Sequence, residues 1–165
     1  MPDSRLRRWF INPLRDQLRQ GVTPAKLALT LALGLTLGIF PLLGITTVLC
    51  ALLAVWLRLN QPVIQLVNYA AYPVQLLLLI PFYRAGERLF GADPVPIFSV
   101  ADLVARFNAG PWQFVLDYGL VGLYGVVVWL LLAPLLGLLI YALSLPLLRR
   151  LDRGLLRVRK PLLPG

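Results

Sequence analysis

Residues 27–57 read LALTLALGLTLGIFPLLGITTVLCALLAVWL, a run of 31 residues without a charged side chain. As one α-helix it would be about 46 Å long, well beyond the roughly 30 Å hydrocarbon core of a bilayer. Its centre, Gly38-Ile39-Phe40-Pro41-Leu42-Leu43-Gly44, can interrupt such a helix. Pro41 removes a helical hydrogen bond and disfavours helix at Phe40, while the glycines permit a reversal. The run therefore predicts a helical hairpin with arms 24–40 and 42–58, broken at Gly38, Pro41 and Gly44. One long helix, kinked at Pro41 and tilted, is the competing reading.

The first arm alternates Leu with Ala28, Thr30, Ala32, Gly34, Thr36 and Gly38. Alternation alone suggests a strand. A lone strand cannot satisfy its backbone in lipid, and no comparable alternation follows to close a barrel. As a helix, the segment stacks Thr30, Gly34 and Gly38 on one face, and Ala28, Ala32 and Thr36 on nearly the opposite one. Small faces let backbones approach closely, so this helix is expected to be wedged between two partners. A single small chain is not expected to cover both faces, which favours a homo-oligomer or other membrane proteins as partners.

Outward from this segment the charges stay segregated. No Lys, Arg, Asp or Glu stands between Arg58 and Arg84 or between Asp117 and Arg149. Hydrophobic residues make up 59% of the 165 and charged ones 14%, against about 25% charged in soluble domains. The expected class is an all-α polytopic membrane protein: the hairpin, helices 62–84 and 118–148, and short amphipathic interfacial helices. In the basic segment 1–23, Leu6, Trp9, Phe10, Leu14 and Leu18 can face lipid and the arginines headgroups. Ser99 opens an interfacial helix 99–109, with Trp112, Phe114 and Tyr118 as an aromatic belt beside it. Arg149 and Arg150 end the last helix and begin a basic tail, 149–165. The first apolar run is too long for a signal-peptide core.

Cation counts orient the chain. Six Lys/Arg precede residue 27 and six follow residue 148, whereas 84–117 holds three against four acids. Both termini are expected in the cytoplasm of a bacterial inner membrane, with 84–117 outside. That needs an even number of crossings, which the hairpin supplies and three single crossings do not.

Function is less legible. The net charge of +9 flanks the apolar runs and forms no nucleic-acid reading face, so it suits anionic lipid headgroups. Histidine is absent, Cys50 stands alone, and the apolar runs hold no carboxylate or Lys. No metal, cofactor, nucleophile–base pair or proton relay is therefore expected, and the chain does not read as an enzyme. What remains is a polar set near the broken segments: Arg58, Asn60, Gln61, Gln65, Asn68 and Gln75, with Thr46 and Thr47. Arg58, with Asn60 and Gln61 at a helix start, could hold an anionic headgroup or solute. An Arg that snorkels to the interface is the plainer reading. Asn68 and Gln75 share a face and suit interhelical hydrogen bonds as well as a pore. Arg84, Glu87 and Arg88 read as an interfacial charge group, Glu87 lying too near the loop to be buried.

Gly34-Leu-Thr-Leu-Gly38-Ile-Phe40-Pro41-Leu-Leu-Gly44, followed by Leu57-Arg58-Leu59-Asn60-Gln61-Pro62 and Asn68, resembles a bacterial membrane family, domain of unknown function 2062. The likeness covers about residues 20–145. That family often has Asn-Pro then Thr in its second membrane segment, where this chain has Asn68-Tyr69-Ala70-Ala71. The resemblance implies no activity. In some relatives a similar segment is joined to glycosyltransferase-like domains, which implies an envelope-lipid setting. The expected role is transport or handling of a lipid or anionic solute. The alternative is a non-catalytic subunit or assembly factor of an envelope complex.

Overall fold

The computed structural model describes residues 16–18, 21–95 and 99–159. Among them the elements are all helical: α1 (Pro24–Gly38), α2 (Thr46–Trp56), α3 (Gln61–Phe90), α4 (Val100–Ala109) and α5 (Pro111–Arg159). Side-chain oxygens satisfy open N–H groups at the starts of α1, α3 and α4. Thr23 accepts from Lys26 N, Asn60 from Val63 N and Ser99 from Asp102 N, at 3.3, 3.0 and 3.1 Å.

Contacts along the helices fix their directions. Gly34 lies against Ile64 and Val67, and Gly38 against Asn68 and Ala71, so α1 runs parallel to α3. The α2 carbonyls of Thr47 and Ala51 meet Gln65 and Gln61, the reverse order, so α2 is antiparallel to α3. The chain thus reverses between α1 and α2, which rules out a continuous 27–57 helix. Near its start α5 meets the far end of α3, where Tyr124 lies against Gly86. Near its finish Leu148 shares a cluster with Leu27, Ala28 and Val63. It therefore runs antiparallel to both α1 and α3.

The small faces of α1 explain this packing. The Thr30–Gly34–Gly38 face takes α3. On the other, Trp129 of α5 donates to the Thr36 carbonyl at 3.0 Å, and Thr36 Oγ1 faces Gly137. Phe40 meets the Trp129 ring edge-on at 4.9 Å. Both partners of the wedged helix belong to this chain, contrary to the expectation that one small chain would leave a face open.

Several boundaries differ from the sequence reading. The first arm stops at Gly38 rather than 40, and the second starts at Thr46 rather than 42, because Gly44 at φ +84° turns the backbone between them. The helix placed at 62–84 is 61–90, since Arg84–Phe90 holds no proline and the left-handed Gly91 ends the helix. The last helix, placed at 118–148, spans Pro111–Arg159. Pro111 suits a first turn, and Arg149 and Arg150 continue the helix into the expected tail. The aromatic residues 112–118 are therefore its opening turns, where Phe114 meets Phe107 of α4 edge-on and stacks on Tyr118. The expected interfacial surface over 1–20 lies outside the described residues apart from 16–18, and so does the tail after 159.

Among the described residues two helices are long and apolar enough to cross a membrane, Gln61–Phe90 and Pro111–Gly154; α1 and α2 are shorter apolar helices. Of the apolar window 39% is buried in α3 and only 6% in α5. A core helix of a soluble domain would be mostly buried. Leu131, Leu135 and Leu138 of α5 instead face outward, more than half exposed.

Candidate functional site

One stripe of α3 carries most of the expected polar set, because Gln61, Gln65, Asn68 and Gln75 recur at helical spacing. The stripe faces the α1–α2 hairpin. Gln61 and Gln65 donate to the α2 carbonyls of Ala51 and Thr47 at 2.8 and 2.9 Å. Gln75, 2% exposed, donates to the Phe40 carbonyl at 2.7 Å and reaches that of Leu42 at 3.5 Å. Asn68 Nδ2 lies 3.5 Å from Gln65 Oε1. Tyr83 continues the stripe, and its hydroxyl donates to the Pro41 carbonyl at 2.8 Å. Its ring lies on Gly125 of α5, where a Cβ would stand 2.7 Å from it.

These donors meet the requirement that irregular backbone carries. A carbonyl released from a helix costs several kcal/mol in hydrocarbon unless another donor reaches it. Phe40, Pro41 and Leu42 are the residues of the break, and α3 supplies donors to all three carbonyls. The polar set is thus a clamp on the hairpin. Of the candidate anion site, Gln61, Gln65 and Gln75 are engaged with backbone, and Asn60 both caps α3 and donates to Gln17 Oε1 at 2.6 Å.

Arg58 stands apart. It is exposed and adopts φ +52°, the left-handed region that an L-residue enters at about 1 kcal/mol or more. Around it the end of α2 forms a Schellman motif: Arg58 N donates to the Val55 carbonyl at 3.2 Å and Leu59 N to that of Ala54 at 2.8 Å. Glycine ordinarily fills this position. The end of α3 shows the same motif with Gly91 there, its N–H on Arg88 O and that of Ala92 on Glu87 O. The α2–α3 turn accepts backbone strain and gains an exposed guanidinium.

Sequence reasoning missed three features. Tyr83 was readable as the continuation of the α3 stripe. Glu87 is 2% exposed, not an open interfacial group: its carboxylate accepts from Arg84 at 2.8 Å and from Val95 N at 2.9 Å, tying the post-α3 loop to the helix. The third is an almost wholly apolar groove of about 460 Å³ between α3 and α5, with Ile39 of the break and Trp129 at its base. Among the described residues no three His, Cys, Asp or Glu side chains stand together as a metal site.

A family model described as an uncharacterized protein conserved in bacteria (DUF2062) matches residues 7–154. Neither the curated proteins nor the solved structures contain a match.

Proposed function

The chain belongs to that DUF2062 family of conserved bacterial proteins, and from this premise we propose that it is a multi-pass inner-membrane protein that handles lipid rather than conducting a solute. In this reading α1 and α2 form a re-entrant hairpin, α3 crosses outward and α5 returns. Both termini and the Arg58–Asn60 turn then lie on the cytoplasmic side, in accord with the basic flanks. The observation that carries the reading is the outward apolar surface of α5, 6% buried along its apolar window. Exposed to water, such a surface would drive association; in lipid it needs no cover. The preference for lipid over solute rests on the α3 stripe, whose glutamines hold backbone carbonyls and line no polar path. No reaction is assigned to the chain.

Within this reading Arg58 meets anionic headgroups of the inner leaflet. One basic residue near such a surface is worth about 1 kcal/mol, or roughly fivefold in binding. Arg58→Asn removes the charge, while Asn tolerates the left-handed backbone. Reconstituted into phosphatidylglycerol vesicles, this variant should bind the anionic lipid several-fold more weakly with unchanged thermal stability. Unaltered binding would remove Arg58 from the proposal.

One observation favours the second reading, a non-catalytic subunit or assembly factor. Tyr69 and Tyr72 face outward from α3, 60% and 50% exposed. They lie about 12 and 17 Å along the helix from Gln61, a depth at which a phenol facing hydrocarbon lacks a partner. A photo-crosslinker at Tyr72 that yields one discrete protein adduct in native membranes supports this reading; lipid adducts alone count against it.

A further inference from the structure

The groove between α3 and α5 has dimensions that point to an occupant. Leu78, Pro81 and Ala85 of α3 form one wall, and along α5 it runs from Val128 to Leu139. That is about 17 Å at the helical rise, close to the roughly 15 Å depth of one bilayer leaflet. Pro81, Ala85 and Arg88 fall on one face of α3 at i, i+4 and i+7. Arg88 is exposed, so a guanidinium stands one turn beyond the end of an apolar channel. The neighbouring Glu87 carboxylate is buried and turned to Arg84 and Val95 N. Farther out on α5, Asp117 accepts from Gln113 at 2.8 Å.

We infer that the groove holds one acyl chain of an anionic phospholipid from the outer leaflet, with its phosphate at Arg88. The inference rests on the membrane reading above and goes beyond it by naming a ligand class and a second cation, on the opposite side from Arg58. Charge complementarity selects the lipid: the channel is apolar along its length, and its outer end presents a cation.

Trp129, at the base of the groove, is the reporter. Of the four tryptophans, Trp9, Trp56 and Trp112 are replaced by Phe. The full chain is then reconstituted with phospholipids brominated on the acyl chain, which quench tryptophan on contact. Phosphatidylglycerol should quench Trp129 at about fivefold lower mole fraction than phosphatidylcholine, the ratio one basic residue gives with an anionic headgroup. Arg88→Gln should bring the two lipids to parity. Ala85→Phe, which narrows the outer end of the groove, should cut quenching by at least half. Equal quenching by the two lipids in the parent chain overturns the headgroup assignment, and undiminished quenching in Ala85→Phe overturns the groove as the acyl site. Weak quenching together with a dimer by crosslinking replaces the lipid by a second copy. Extraction from the vesicles by alkaline carbonate overturns the membrane reading and this inference together, whereas retention with equal quenching overturns this inference alone.

Discussion

Replacing Gln75 by Leu and Tyr83 by Phe in one chain is expected to release the α1–α2 hairpin from α3. Each substitution keeps roughly the volume and removes a donor from a carbonyl of the break, Phe40 or Pro41. A buried carbonyl left without a partner costs about 1–3 kcal/mol, and the two losses fall on adjacent residues of one segment. Their effects should therefore couple, the second costing less once the first has loosened the loop. The check is the denaturation midpoint of both single variants and the double, with thiol labelling of Leu43→Cys in a Cys50→Ser background. Faster labelling at residue 43 is expected in each single variant and most in the double. Labelling unchanged in all three would mean that the carbonyls are satisfied without α3.

Gly86→Leu should also have a large effect. A Cβ at residue 86 would stand 2.6 Å from the backbone carbon of Tyr124 and 2.7 Å from its carbonyl oxygen. Backbone cannot rotate away as a side-chain tip can, so α3 and α5 must separate along the crossing. Overpacking in a close-packed site costs about 1–3 kcal/mol, and this contact lies at or above the upper end. The crossing also seats Tyr83 on Gly125 and stacks Phe90 on Tyr124 at 4.6 Å, contacts that separation would remove. Most of the variant should be lost to aggregation or proteolysis. By contrast Gly154→Leu, where a Cβ meets nothing within 4 Å, should accumulate normally. Equal yields of the two would contradict the packing described.

How much of this was readable from residues alone follows from where the information lies. The reversal near Pro41 was legible because proline and glycine act on their own backbone. The wedging of α1 was legible too, since small residues at four-residue spacing state how close a neighbour can come. Which neighbour was not: Gly34 specifies a near approach but not that Val67 makes it. The polar stripe of α3 was seen as a set, yet its purpose depended on the carbonyls opposite, which no side-chain pattern records. Glu87 was misjudged because sequence distance to a loop says nothing of how the loop folds back over it. The ends of α3 and α5 ran past their charged residues, since Arg and Glu are good helix formers and charge alone does not stop a helix.

The proposed topology is tested most directly by the side of the membrane on which the α2–α3 turn lies. In a Cys50→Ser chain, single cysteines are placed at Leu59, in that turn, and at Asp93, in the loop after α3. Each is labelled with an impermeant maleimide from one side of the membrane at a time. A hairpin that returns requires Leu59→Cys to react only from the cytoplasmic side and Asp93→Cys only from the opposite side. Labelling of Leu59→Cys from the outer side would contradict the hairpin's return to the cytoplasmic face.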